Sequence, residues 1–280
     1  MSDDFPGLTF VQPTVDVSGV NFMLWGPNKS GKTAAGGTLP GPILWLNGQG
    51  PNALGYARKV AAERGNVIRE VHMPNGRDEG PVTPVLTAFV DALKTGEYRS
   101  GVVDTMGNLR DRLAQEHGGD QPSIQQWGKI AKTISRFTLA LRDLPVHVLF
   151  IAHDDVSDDA EAGRLVSPLI GGKSTKDVQT EMDVLAFTGQ LAAKGEPVRY
   201  VGQLVDGNGR QGLGDRSGAI LDEGQAFRDL DLAEWIERYS EGMRAQAQAD
   251  DLPFDAVEPQ TLDDAIAAGE VEGLDESEAA

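Results

Sequence analysis

The feature that most limits what this chain can fold into is one short loop. From Gly26 to Thr33 it reads GPNKSGKT, a match to G-x-x-x-x-G-K-[ST]. A loop of this kind turns its backbone N–H groups inward around a chain of phosphates, and its glycines let the backbone approach closely. Lys32 can then reach the terminal phosphates, and Thr33 can offer its hydroxyl to a magnesium ion. The pattern has this meaning only between a strand and a helix. VNFMLW before it is apolar enough for a buried strand, and TAAGGTL after it can open a helix. That helix is predicted to be short, since Gly36 and Gly37 each weaken it by about 1 kcal/mol. Gly26, Pro27, Asn28, Lys29, Ser30, Gly31, Lys32 and Thr33 are therefore the expected nucleotide-binding residues, with ATP and Mg2+ as the expected ligands.

The rest of the chain has a pattern that suits such a loop. GVNFMLWG, PILWLNG, NVIREVHM, RSGVVDT, PVHVLFIAH and MDVLAFTGQ are predicted strands. Between them, residues 51–64, 82–95, 109–116 and 124–143 have helical spacing. Strands alternating with helices imply βαβ units and a mostly parallel sheet covered on both faces. PVRYVGQLV would close the sheet as an antiparallel hairpin, and a helix at residues 232–247 would end the fold. The organisation expected is a loose leader over residues 1–16, one α/β domain over 17–247, and a disordered acidic tail over 248–280. The tail is rich in Ala, Glu, Asp and Gly, which bury too little apolar surface to offset ordering entropy.

Composition closes off several chemistries. Cysteine is absent and the four histidines are scattered, so neither a disulfide framework nor a thiolate metal site is available. Any metal would be held by oxygen. No apolar run approaches membrane-spanning length, which predicts a soluble, cytoplasmic protein with no membrane partner. Eleven of the 43 acids and none of the 25 basic residues lie after Arg244, so the tail carries −11 of the net −18. The core is only mildly acidic and can carry a local basic face.

Three further positions complete the nucleotide reading. Asp104 follows Val102 and Val103, at the carboxyl end of a predicted buried strand, where α/β sheets bind ligands. With Thr33 it is the expected magnesium-side pair; alone it would read equally as a helix cap. His153 ends the apolar run VHVLFIAH, where it could sense the γ-phosphate or simply hydrogen-bond at a strand end. His72 and His147 are read as structural.

Taken together, GPNKSGKT, GVVDT, HVLFIAH and the late GDRSGAIL resemble phage-encoded P-loop ATPases with a RecA-like core, the group that includes single-strand annealing and recombinase proteins. The resemblance spans residues 15 to 240. It implies ATP binding coupled to single-stranded DNA binding in recombination, a homo-oligomer, a single-strand-binding protein as partner and a bacterial host cytoplasm. In such proteins the strand after the phosphate-loop helix commonly ends near a glutamate that activates water. Here that stretch reads ILWLNGQG, with Asn47 and Gln49 at that place. An amide orients water but cannot accept its proton, so slow hydrolysis is expected unless Asp104, Glu70 or a neighbouring subunit supplies the base. The resemblance also implies an arginine finger in DGNGRQGLGDRSG, from Arg216 ahead of Arg210, reaching the nucleotide of its own or a neighbouring subunit. It further places DNA contacts on a mobile loop after His153, at Arg164, Lys173 and Lys176.

A second DNA candidate comes from spacing alone. Lys129, Lys132 and Arg136 recur at helical intervals beside Trp127, and share one face of a helix. The tail segment ADDLPFD resembles the acidic end of bacterial single-strand-binding proteins, and such a tail could compete with DNA for a basic face. Two rival functions share the phosphate loop: a nucleotide-driven assembly switch with little turnover, favoured by Asn47 and Gln49, and a small-molecule kinase.

Overall fold

The computed structural model describes residues 15–119, 121–159, 163–192, 197–249 and 254–255. Most of the expected leader and acidic tail lie outside these residues.

In chain order the elements are β1 (Val15–Asp16), β2 (Asn21–Gly26), α1 (Lys32–Gly36), β3 (Ile43–Asn47), α2 (Gly55–Glu63), β4 (Ile68–His72), α3 (Thr83–Lys94), β5 (Ser100–Asp104), α4 (Met106–Gly118) and α5 (Ile124–Arg142). They continue with β6 (His147–Asp159), β7 (Gly163–Pro168), α6 (Lys173–Thr180), β8 (Val184–Leu191), β9 (Arg199–Gln203), β10 (Gly214–Asp215), β11 (Phe227–Asp229), α7 (Leu232–Ala249) and β12 (Phe254–Asp255). The main sheet runs β11-β9-β8-β2-β6-β5-β3-β4. Its stretch from β8 to β4 is parallel; β9 and β11 add antiparallel strands at one edge.

The parallel strands carry apolar residues on both faces, as strands must when helices cover each side. Along β2, Phe22 and Leu24 join one core with Ala35, Leu39, Ala57 and Trp235, while Met23 and Trp25 join the other with Phe89, Leu113, Ile134 and Val178. So α1, α2 and α7 cover one face, and α3 to α6 the other. The phosphate-loop strand β2 lies inside the sheet between β6 and β8; its own connection leads toward β3, while that of β6 crosses back to β8 on the other side. A crevice at the carboxyl ends of the strands is the result, the place where open α/β sheets bind ligands. This is the expected α/β, RecA-like fold.

Several expectations need correction. The run through His153 continues as a strand to Asp159 and folds back antiparallel on β7, from Asp154 opposite Pro168 to Asp159 opposite Gly163. The stretch read as a mobile loop is thus a hairpin followed by α6. The extension of β6 has one apolar residue, Val156, among acids and a serine, β7 has Leu165 and Val166 side by side, and α6 buries little beyond Val178, so none of them gave a strong apolar period. The last long helix, α7, runs to Ala249, and Phe254–Asp255 pairs in parallel with Val15–Asp16. Among the described residues, no helix is long and apolar enough to cross a membrane.

Candidate nucleotide site

The loop between β2 and α1 adopts the geometry its glycines permit. Gly26, Lys29 and Gly31 have φ of 147°, 63° and 94°. The N–H groups of Asn28, Lys29 and Gly31 make no hydrogen bond among the described residues. Backbone donors left free in a positive-φ loop form a concavity for anions. Lys32 lies buried in it, its Nζ donating to the carbonyls of Gly26 at 2.8 Å and Pro27 at 2.7 Å. Burial lowers the Lys32 pKa to about 8, against the attraction of Asp154 and Asp104.

Thr33 and Asp104 meet as the sequence predicted. Thr33 Oγ1 donates to Asp104 Oδ2 at 3.2 Å, and Asp104 is 0 % exposed. Asp104 also accepts from Gln49 Nε2, at 2.5 Å on Oδ1. Burial raises its carboxyl to about 6, opposed by the hydrogen bonds from Gln49 and Thr33 and by the charge of Lys32. The next residue, Thr105, caps α4 by accepting from the Asn108 N–H, so the strand-end aspartate is free for the crevice rather than spent as the cap.

Gln49 reaches Asp104 because its turn is pinned from several sides. Gly48 N–H donates to the Asp104 carbonyl, and the Gly48 carbonyl accepts from Asn108 and Arg112. Asn47 is fully committed to this turn: its Nδ2 donates to the Gly50 carbonyl and to Glu70, and its Oδ1 accepts from the Gln49 N–H. Glu70 is also paired with Arg58. Asn47 and Glu70 therefore brace the turn, and of these residues Gln49 is the one that reaches Asp104, which Thr33 also meets.

His153 aligns with Gly26 across β2 and β6, beside Lys32. Burial, followed by the Lys32 charge, lowers its pKa, and its Nδ1 is buried without a partner among the described residues. A neutral imidazole with a spare ring nitrogen stands next to the loop. His147 instead accepts from the Val20 N–H at 3.2 Å, and His72 pairs with Glu79 at 2.9 Å, both structural roles.

The two arginines lie at opposite ends of the sheet. Arg216 follows β10, which pairs with the amino end of β8; it hydrogen-bonds the Thr180 carbonyl at 3.0 Å and pairs with Asp183 at 3.4 Å. Asp183 in turn accepts from the N–H of Asn21, where β2 begins. The length of β2, about 16 Å at the usual rise per residue, thus separates Arg216 from the phosphate loop. Arg216 is not placed to reach the nucleotide of its own chain. Arg210 lies at the other end, its guanidinium 3.7 Å over the Phe187 ring and bonded to Gln203 at 2.7 Å. Phe187 packs edge-on against Trp25, the residue before Gly26.

Of the DNA candidates, only the backbone of Arg164 and Lys173 is described. Lys176 is exposed on α6, and Lys129, Lys132 and Arg136 are exposed on α5, opposite the buried Ile130, Ile134 and Phe137. Sequence reasoning missed the contacts that β8 and β9 make with the loop. Ser30 and Thr188 share a hydrogen bond of 2.5 Å between hydroxyls 158 residues apart, and Gln190 donates to the Lys29 carbonyl at 2.8 Å. No local pattern could have announced them.

Free inward N–H groups, a buried ammonium, and a hydroxyl beside a carboxylate fit a magnesium-bound nucleoside triphosphate. Among the described residues no cluster of three or more His, Asp or Glu could hold a metal alone, so Thr33 and Asp104 would share magnesium with phosphate oxygens and water. Fold and site together define a P-loop nucleotide-binding domain. The AAA domain family model matches residues 18–211, and the chain belongs to that family. No curated protein matches it. Among solved structures it is similar to a KaiC-like protein from the hyperthermophilic archaeon Pyrococcus horikoshii OT3, at 13% identity and a TM-score of 0.41, covering 66% of this chain and 77% of that one.

Proposed function

We propose that this chain is an Mg2+-dependent ATPase that acts with single-stranded DNA in phage recombination, annealing, replication or repair, as a homo-oligomer beside a single-strand-binding protein. The observation that carries the ATPase half is the 3.2 Å contact of Thr33 with Asp104, from opposite sides of the crevice, next to buried Lys32. Magnesium bound there would neutralise charge on the transferring phosphoryl group. Lys32 would hold the terminal phosphates, and Gln49 and His153 would orient the attacking water by hydrogen bonds.

The DNA half is supported by α5 and its surroundings. Lys129, Lys132 and Arg136 form an exposed basic stripe, and Trp127 is 41% exposed beside a groove of about 500 Å3 lined also by Arg110, Gly171, Gly172 and Ser174. An exposed aromatic ring in a groove that also holds a cation, Arg110, is what single strands use for stacking and phosphate contact, while the stripe of Lys129, Lys132 and Arg136 lies on another side of α5. The groove adjoins α6, which follows the hairpin that extends from His153, so strand β6 links it to the phosphate loop.

One experiment tests both halves: phosphate release with and without single-stranded DNA, for the natural chain and Lys32→Ala. Release stimulated by DNA and lost in the variant is expected. Release indifferent to DNA sinks the coupling. ATP binding without release selects the second reading, a nucleotide-driven assembly switch, which the amide of Gln49 in place of a carboxylate favours.

A further inference from the structure

Side chains from β8 and β9 clasp the phosphate loop from the side away from Asp104. Thr188 holds Ser30 and Gln190 holds the Lys29 carbonyl. Tyr200, the residue opposite Gln190 across β8 and β9, lies against Gly31. A Cβ on Gly31 would stand 2.9 Å from Tyr200 Cδ1 and 3.0 Å from its Cγ, so only a glycine lets the ring lie this close. Tyr200 is nonetheless 42% exposed. It lies against the loop and is still reached by solvent.

Strand order gives this surface a direction. Asp104 ends β5, two strands from β2, and His153 lies in β6, between them. Tyr200 lies in β9, two strands from β2 on the opposite side, where β8 intervenes. A triphosphate whose terminal group sits at Lys32, Thr33 and Asp104, and whose body follows the loop away from Asp104, carries its nucleoside toward β8 and β9. We propose that Tyr200 is the platform on which the planar base of that nucleoside triphosphate stacks, with Gly31 kept small to seat the ring. The proposal rests on the nucleotide-site reading above. An aromatic ring accepts any base through its π-face, so Tyr200 would supply affinity for the nucleoside without choosing between purines.

The test measures binding of the full chain to Mg2+–ATP and to Mg2+–tripolyphosphate, which carries the phosphates without a base. Tyr200→Ala is expected to weaken ATP binding about tenfold and to leave tripolyphosphate within about twofold, with Tyr200→Phe and Tyr200→Trp retaining ATP affinity. Equal weakening of both ligands would make Tyr200 a mere brace of the loop and overturn the platform. So would an ATP affinity indifferent to Tyr200→Ala while tripolyphosphate binds in a Lys32-dependent way. If neither ligand binds in a Lys32-dependent way, the phosphate-site reading falls and the platform with it. Thermal melts of the Tyr200 variants, expected close to that of the natural chain for so exposed a residue, show whether they fold.

Discussion

Gln49 donates its side-chain amide to Asp104 at 2.5 Å, from the turn after β3 to the end of β5, and these strands pair with Asn47 opposite Asp104. The neighbour of the metal-side carboxylate is therefore an amide, which orients but does not take protons. Gln49→Glu would put a second carboxyl beside Asp104, and two such groups cannot both ionise easily. Above neutral pH the new carboxylate should act as a base and raise phosphate release by about a hundredfold. An unchanged kcat across the pH range would show that the amide does not limit turnover.

Asp104 is a buried carboxyl held at a cost in stability. Its pKa is raised from 3.8 to about 6 by burial, so between these values the folded chain keeps a proton that the unfolded chain releases. Stability therefore falls as pH rises through this window, by about 3 kcal/mol once the group is ionised. Asp104→Asn should melt higher than the natural chain at pH 8, and equally at pH 3.5, while losing Mg2+-dependent ATP binding. Paired melts at the two pH values check this.

Lys32 sets the opposite limit. Burial lowers its pKa to about 8, so its ammonium is lost as pH rises through that value, whereas Asp104 gains its charge above about 6. Affinity for Mg2+–ATP should be greatest between these values and fall on both sides. Titration calorimetry from about pH 5 to about pH 9 measures it; a flat profile would mean that neither group's charge matters for binding.

Arg210 and Arg216 should separate in mutation. Arg210→Ala removes a guanidinium stacked on Phe187 and should cost about 1–2 kcal/mol, read by denaturant titration. Arg216→Ala loses only contacts with Asp183 and Thr180, and should change stability by no more than about 0.5 kcal/mol and leave ATP affinity of the isolated chain intact. A large loss of ATP affinity in dilute Arg216→Ala would contradict its place at the far end of β2.

The α/β alternation, the phosphate loop, and the meeting of Thr33 with Asp104 were legible without coordinates. Each is written in a short stretch: an apolar run, a turn, and a polar residue where the strand stops. The β6–β7 hairpin and α6 were not, because short segments with little apolar surface carry no strong period. The different places of the two arginines were not legible either. Both lie in one glycine-rich stretch, but Arg210 bridges toward Val166 and Phe187 while Arg216 is drawn to Asp183 at the other end of the sheet.

By itself, then, the sequence determined that this chain has a phosphate loop between a buried strand and a helix, and that a strand-end carboxylate can join it. Those features depend on neighbouring residues, whose spacing along the backbone is set by covalent geometry. Only the tertiary structure decided that Gln49 faces Asp104, that Asn47 is spent on its own turn, and that Thr188, Gln190 and Tyr200 hold the loop. Such contacts join residues far apart in the chain, and which of them meet depends on how strands order and register in the sheet.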